Sequence, residues 1–334
     1  MKTTIETILD GEDLDQAEAR GLADQLLTDA DDAQIAGILV ALRAKGVTAA
    51  ELAGFAEGLR ANCRSIESTV EPLVDTCGTG GDAHHTFNVS TTSALLAAAM
   101  GVAVAKHGNR AVSSASGSSD VLESLGVPID ASIETSRRML VEVGFGYFHA
   151  PTFHPAMGAV ASARQSLGIR TVFNLIGPLT NPADASRQVI GVFDAETVDL
   201  VAGAVARLGT EHALIVHGAG IDEIAVHAPT VVAEVKGDEI ERYELTPTEL
   251  GLDQTPIDAI AGGTPQENAA ITRRILTGAE TSAKRDIVMA NAGAAAYVGG
   301  RTSSIGEGVE LAQQTLEDGG GARLLDRLTQ EVAS

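Results

Sequence analysis

The chain has 334 residues, 44 % of them hydrophobic, with 45 acidic against 23 basic side chains and a formal charge of −22. That length and apolar content exclude a disordered chain and allow one large domain with a smaller one beside it. The charge, with no local basic patch, speaks against binding a nucleic-acid backbone, and no apolar run approaches the ~20 residues that span a bilayer. Lysine is scarce, at Lys2, Lys45, Lys106, Lys236 and Lys284 only. An acidic, lysine-poor surface fits a halophilic composition, kept hydrated in concentrated salt; the plainer alternative is an ordinary acidic enzyme. The opening MKTTIETILDGEDLDQ lacks an apolar signal core, and Cys63 and Cys77 lack metal-ligand spacing. A cytoplasmic protein with reduced thiols is expected.

Residues 1 to about 65 read as helices. DLDQAEARGLADQLL, DDAQIAGILVALRAKG and TAAELAGFAEGLRANC carry apolar residues at helical spacing. Asp13, Asp31 and Thr48 stand near the starts as caps, and Gly46 stops the second helix. From Pro72 short apolar runs alternate with helical segments: PLVDTCG, STTSALLAAAMG, VAVAKHG, SDVLESLG, then RQVIGVF, TVDLVAGAVARLG, HALIVHG and TVVAEVKG. This alternation predicts an α/β fold: a small N-terminal helical domain (1–68) and a large domain (72–334) with a mostly parallel sheet flanked by helices. DTCGTGGD, KHGNR and HGAGIDE each follow an apolar strand, so they should share the carboxyl rim where such sheets bind ligands. The proline-punctuated segment 151–183 is expected to pack its helices, from about 155–182, back on the first domain and leave a cleft. Residues 246–268 read as a proline-containing surface excursion.

The stretch Gly78-Thr79-Gly80-Gly81-Asp82 turns tightly with its amides exposed, and Asn88-Val89-Ser90-Thr91-Thr92 opens the next helix. Amides and a positive dipole end at a helix entry suit a phosphate. The lysine-serine ending of a nucleotide loop and the glycine spacing of a dinucleotide fingerprint are both absent. Alone, the loop is equally a structural turn. Two further segments weigh on that choice: Lys106 to Ser114, a cluster of donors after VAVA, and Asp222-Glu223, after ALIVHG. The adjacent carboxylates are either a solvated pair or, opposite a phosphate site, Mg²⁺ ligands.

DTCGTGGD…TFNVST, KHGNRAVSS, SGSSDVLESLG, HAPTFHPAM, LGIRTVFNLIGPLTNPA and the Asp222-Glu223 pair together resemble the anthranilate phosphoribosyltransferase family, in order and spacing, over nearly the whole chain. The resemblance implies transfer of phosphoribose from phosphoribosyl pyrophosphate to the amine of anthranilate in tryptophan biosynthesis. It also implies a homodimer with two Mg²⁺ ions per monomer. It places Gly78, Gly81, Asp82, Thr86, Asn88, Val89, Ser90 and Thr91 at the phosphoribosyl pyrophosphate site. Lys106, His107, Gly108, Asn109, Arg110, Ala111, Val112, Ser113, Ser114 and Ser118 belong there too. Ser90, Asp222 and Glu223 match the metal ligands, and Gly78, Asn109 and Arg164 the anthranilate contacts.

His107 is placed to orient anthranilate, or is a satisfied loop histidine. His84-His85 read as part of a solvated loop, and Cys77, with no partner base, as packing. The chain departs from the family pattern at Ser162, Gln165 and Ala115, where proline, arginine and lysine are common; a secondary anthranilate position is what these changes touch. Two rivals remain at this point. A pyrimidine-nucleoside phosphorylase shares the fold and needs no acidic pair; a nucleic-acid-binding relative needs a basic groove.

Overall fold

The computed structural model describes residues 1–80, 84, 86–111 and 115–330. Four helices open it: α1 (Lys2–Leu9), α2 (Gln16–Thr28), α3 (Asp32–Lys45) and α4 (Ala49–Ala61). Asp15, Asp31 and Thr48 accept the third amide of α2, α3 and α4, and Glu18, Gln34 and Glu51 return the bond to the cap's own N–H. Asp31 and Thr48 thus cap as expected. Asp13 does not: the cap falls two residues later, and the Asp13 carboxylate pairs with Lys45 at 2.5 Å. Gly46 ends α3 with φ 94°, a conformation other residues rarely adopt. The sequence pattern did not single out α1, a short helix that buries only Ile8 fully.

The large domain runs β1 (Leu73–Gly78), α5 (Val89–Ala99), β2 (Ala103–Gly108), α6 (Ser118–Leu125), α7 (Ile133–Val143) and β3 (Phe145–His149). The proline-rich segment supplies α8 (Ala150–Phe153), α9 (Gly158–Leu167) and α10 (Phe173–Ile176). Then come β4 (Arg187–Gly191), α11 (Glu196–Arg207), β5 (His212–His217), β6 (Thr230–Lys236), β7 (Glu239–Leu245), α12 (Pro265–Leu276), α13 (Ala283–Val298), α14 (Ile305–Glu317) and α15 (Gly320–Gln330). The sheet order is β3-β2-β1-β4-β5-β6-β7, parallel through β5 and antiparallel for the last two pairs.

Alternation along each strand divides the core. Leu214 and Val216 join the apolar cluster under α5 and α12–α15, while Ala213 and Ile215 face α11 and the helical domain. The second cluster runs without a break from α2–α4 through Val160, Phe173 and Ile176 to the sheet. α9 packs on α2 and α3, and α10 on α4; Ser162 ties α9 to Asp32 at 2.8 Å.

The segment 246–268 runs over the surface, as expected, but it is anchored: Leu250 and Ile260 are buried, Phe87 donates its amide to the Ile260 carbonyl, and Pro265 already begins α12. Its apolar residues cover the approach to α5. β7, EIERYEL, follows β6 as an exposed charged edge strand, a composition that blunts edge-to-edge pairing and hides the strand from apolar patterning. Among the described residues no helix is long and apolar enough to cross a membrane.

Candidate active site

The chain steps outward from β1 through β2 to β3 and then returns to β4 on the other side of β1. Such a reversal opens a crevice at the carboxyl ends of the strands. The segments after β1, β2 and β5 meet on that rim, as expected.

At the rim the Gly80 amide donates to Asp222 Oδ2 at 2.9 Å, and the Ser90 amide donates to Glu223 Oε1 at 2.9 Å. Ser90 lies in the first turn of α5, whose N-cap Asn88 makes no side-chain capping bond. Glu223 therefore caps the helix from far along the chain, and a carboxylate seated there marks the helix entry as receptive to anions. Asn88 is engaged elsewhere: its Oδ1 accepts from Ser116 Oγ at 3.0 Å and Asn268 Nδ2 at 2.9 Å. Val89 and Thr91 are buried in α5. Thr86 pairs with Ala261 in an isolated bridge. Gly81, Asp82, Val112, Ser113, Ser114 and His85 lie outside the described residues.

The expected donor loop is only partly a loop. Lys106, His107 and Gly108 belong to β2, and the Lys106 ammonium is buried, donating to the Thr76 carbonyl at 2.5 Å. It braces β1 from within the sheet. Arg110 turns to Asp120 and Glu123, at 3.1 and 2.9 Å. Asp120 also accepts the Ala111 and Gly117 amides, both at 2.9 Å, and so holds the loop's two ends together. Ser118 Oγ bonds the Asn109 backbone and the Tyr147 hydroxyl at 3.1 Å.

Gly78, His107, Asn109 and Arg164, drawn from separate segments, line one cleft of about 540 Å³ between the strand ends and the α8–α10 segment. Arg164 is half-buried and makes no ion pair among the described residues; its guanidinium lies 5.3 Å from the Phe173 ring centre. Burial depresses its pKa, the mark of a cation short of an anion. His107 Nδ1 lies 3.2 Å from the Gly177 carbonyl, which fixes the proton on Nδ1 and leaves Nε2 as a buried acceptor without a partner among the described residues. Burial, reinforced by His154, pushes His107 down to about 3, so the imidazole is neutral at pH 7.

Sequence reasoning missed three residues here. His154 lies with its ring centre 5.1 Å from that of His107, tilted by 56°, and lines the cleft, as does Phe173. Both stand in quoted motifs, and only the fold brings them to His107 and Arg164. Asp75, wholly buried under the rim, accepts from Asn181 Nδ2 at 2.8 Å and from the His107 amide at 3.3 Å. Burial raises its pKa and drives the neighbouring Cys77 thiol well up, in keeping with a packing role for Cys77.

Asp222, Glu223 and Ser90 offer only hard oxygen donors. Among the described residues no three of His, Cys, Asp and Glu converge into an all-protein cage. Two carboxylates and a hydroxyl beside an anion site fit Mg²⁺, which keeps waters and substrate phosphates among its ligands.

The helical-bundle domain of a glycosyl transferase family matches residues 2–63, and that family's α/β domain matches residues 70–322. The anthranilate phosphoribosyltransferase of Haloarcula marismortui is 56 % identical over 328 residues, 98 % of this chain and 99 % of that protein. The chain belongs to the anthranilate phosphoribosyltransferase family. The crystal structure of the Thermus thermophilus anthranilate phosphoribosyltransferase superposes with a TM-score of 0.94 at 44 % identity, covering 99 % of both chains. The anthranilate phosphoribosyltransferase of Saccharomyces cerevisiae, solved with phosphoribosyl pyrophosphate and Mg, gives a TM-score of 0.89 at 25 % identity over 100 % and 99 % of the two chains. These relatives favour neither the nucleoside phosphorylase nor the nucleic-acid-binding alternative.

Proposed function

We propose that the cleft and rim transfer the phosphoribosyl group of 5-phosphoribosyl 1-pyrophosphate to the amine of anthranilate, giving N-(5-phosphoribosyl)anthranilate and pyrophosphate. The observation that carries this reading is one cavity joining the guanidinium of Arg164, without an ion pair among the described residues, to a neutral imidazole, His107, beside a helix entry already holding a carboxylate. The guanidinium fork suits the anthranilate carboxylate, with Phe173 at its flank. The amine is neutral at pH 7 and needs no strong base; His107 Nε2 accepts its N–H and turns the nitrogen lone pair toward the sugar. Positioning then supplies much of the acceleration.

Cleavage of the C1–oxygen bond leaves positive charge on the ribose and negative charge on the departing diphosphate. The positive end of the α5 dipole favours that negative charge, while the Gly80 and Ser90 amides hold Asp222 and Glu223 in place beside it. Bound at Asp222, Glu223 and Ser90, Mg²⁺ would neutralise the leaving group. The stoichiometry proposed, two ions per monomer, follows the family resemblance. Asn88, Asn109, Arg110 and Ser118 frame the donor site, and Lys106 supports it from below.

The proposed division is a helical domain over 1–68, completed in space by the helices of 155–182, and an α/β domain over 72–334. A homodimer is proposed through the helical domain, where Leu9 on α1, 67 % exposed, and Val40 on α3, 44 % exposed, lie on two helices that pack together. Free Cys63 and Cys77 accord with a reducing cytoplasm. The test is anthranilate fluorescence, which should fall when phosphoribosyl pyrophosphate and Mg²⁺ are added. Steady fluorescence together with phosphorolysis of a pyrimidine nucleoside would replace this reading by its rival.

A further inference from the structure

We infer that Gly191 and His217 are positioning residues that seat the Asp222-Glu223 pair at the rim. The inference rests on the metal reading above. Gly78 and Gly191 are register partners at the last step of β1 and β4, the two strands that flank the crevice. The Asp222 residue lies directly over this pair. A Cβ at Gly78 would collide with the Asp222 carboxylate and lie 3.0 Å from its Cγ. A Cβ at Gly191 would collide with the Asp222 carbonyl group and lie 3.0 Å from its Cβ. The absence of both side chains is therefore a socket, filled by the backbone of one acidic residue and the carboxylate it carries.

His217 fixes the approach to that socket. Its Nδ1 lies 2.9 Å from the Val192 carbonyl, next to Gly191, and its Nε2 accepts the Gly220 amide at 3.2 Å. One ring thus ties the end of β4 to the turn before Asp222. The turn needs the tie, because Ala219 and Gly220 both take positive φ, 50° and 105°. Beyond the pair, Asn291 of α13 accepts the Ile224 amide at 2.9 Å and donates to the Ile224 carbonyl at 3.0 Å. The two carboxylates are held from below, before and after, so that they reach Gly80 and Ser90 without a search.

Outer contacts of this kind change metal affinity by roughly 10- to 100-fold when lost. The experiment follows binding of inorganic pyrophosphate by calorimetry as Mg²⁺ is titrated, with no turnover involved. Gly191→Ala should raise the Mg²⁺ concentration for half-maximal binding about tenfold or more while anthranilate binding stays within about threefold. His217→Leu should shift the same midpoint, and His217→Asn, which keeps a donor for Val192, should shift it less. Gly293→Ala, at the α13–α14 crossing where a Cβ would meet the Val309 amide at 2.7 Å, should lower the melting temperature and leave the midpoint in place. A cooperatively melting Gly191→Ala protein with a wild-type midpoint overturns the inference. If Gly191→Ala does not fold, an unmoved midpoint in His217→Leu does the same. The double substitution Asp222→Asn with Glu223→Gln, run alongside, separates the two layers. A wild-type midpoint there removes the metal reading itself, whereas its loss with unmoved Gly191 and His217 variants removes only the socket.

Discussion

Arg164→Ala tests whether the cleft recognises a carboxylate. In the described structure the guanidinium is half-buried, its pKa is lowered by burial alone, and its described contact is the face of Phe173 at 5.3 Å. A hydrogen-bonded pair involving a charged group in such a setting contributes about 1.5–3 kcal/mol. Removing it should raise the KM for anthranilate roughly 10- to 150-fold. The KM for phosphoribosyl pyrophosphate and kcat should each stay within about threefold, because Arg164 does not touch the rim amides. Arg164→Lys keeps the charge but not the planar fork and should fall between. The assay is initial-rate loss of anthranilate fluorescence with each substrate varied in turn. Equal shifts in both KM values would mean that the substitution disturbs the interdomain packing, and the proposed contact would be abandoned. Unchanged values for both would place the carboxylate elsewhere.

The remaining predictions concern stability and assembly. His107 titrates at about 3 when folded and near 6.5 when unfolded, so the unfolded chain binds the extra proton between those values. Stability contributed by the neutral ring is complete above pH 6.5 and is lost as pH falls. Between pH 7 and 5 the wild type should lose about 2 kcal/mol relative to His107→Asn in urea unfolding. Parallel curves for the two proteins would refute the buried neutral state. For the assembly, Leu9→Glu with Val40→Glu should halve the mass measured by light scattering. A wild type that already runs as a monomer would remove the dimer.

The sheet and its rim were legible because apolar strands ending in polar turns announce themselves by period. What the period does not carry is which side chain turns which way. Lys106 reads as a loop donor, yet it is the fourth of the six residues of β2, and in a strand a single step reverses the face. Gly78 reads as a permissive turn residue, whereas its missing Cβ also leaves room for Asp222 from the far end of β5. Gly191 had no local signal at all: RQVIGVF reads as one apolar strand, and the need for glycine arises only when β1 and β5 are brought to it. His154 and Asp75 were hidden for the same reason, as their partners stand on other strands and segments. β7 and α1 escaped because one is exposed along its length and the other buries a single residue.

The charge of −22 has a kinetic consequence that follows from how the rim spends its cations. Both substrates are anions. Among the described rim residues, Lys106 is buried against the Thr76 carbonyl and Arg110 is held by Asp120 and Glu123. On the proposed reading, recognition of the diphosphate falls to the α5 dipole and metal, which act at short range and do little to offset long-range repulsion. Screening shortens from about 10 Å at 0.1 M salt to about 3 Å at 1 M. At fixed free Mg²⁺, raising KCl over that interval should increase kcat/KM for phosphoribosyl pyrophosphate about threefold or more, the inverse of the usual loss of steering. The KM for anthranilate should move less, since the proposed pairing with half-buried Arg164 is shielded from bulk ions. A kcat/KM that falls across the same interval would show net attraction at the rim and refute this reading of its charge.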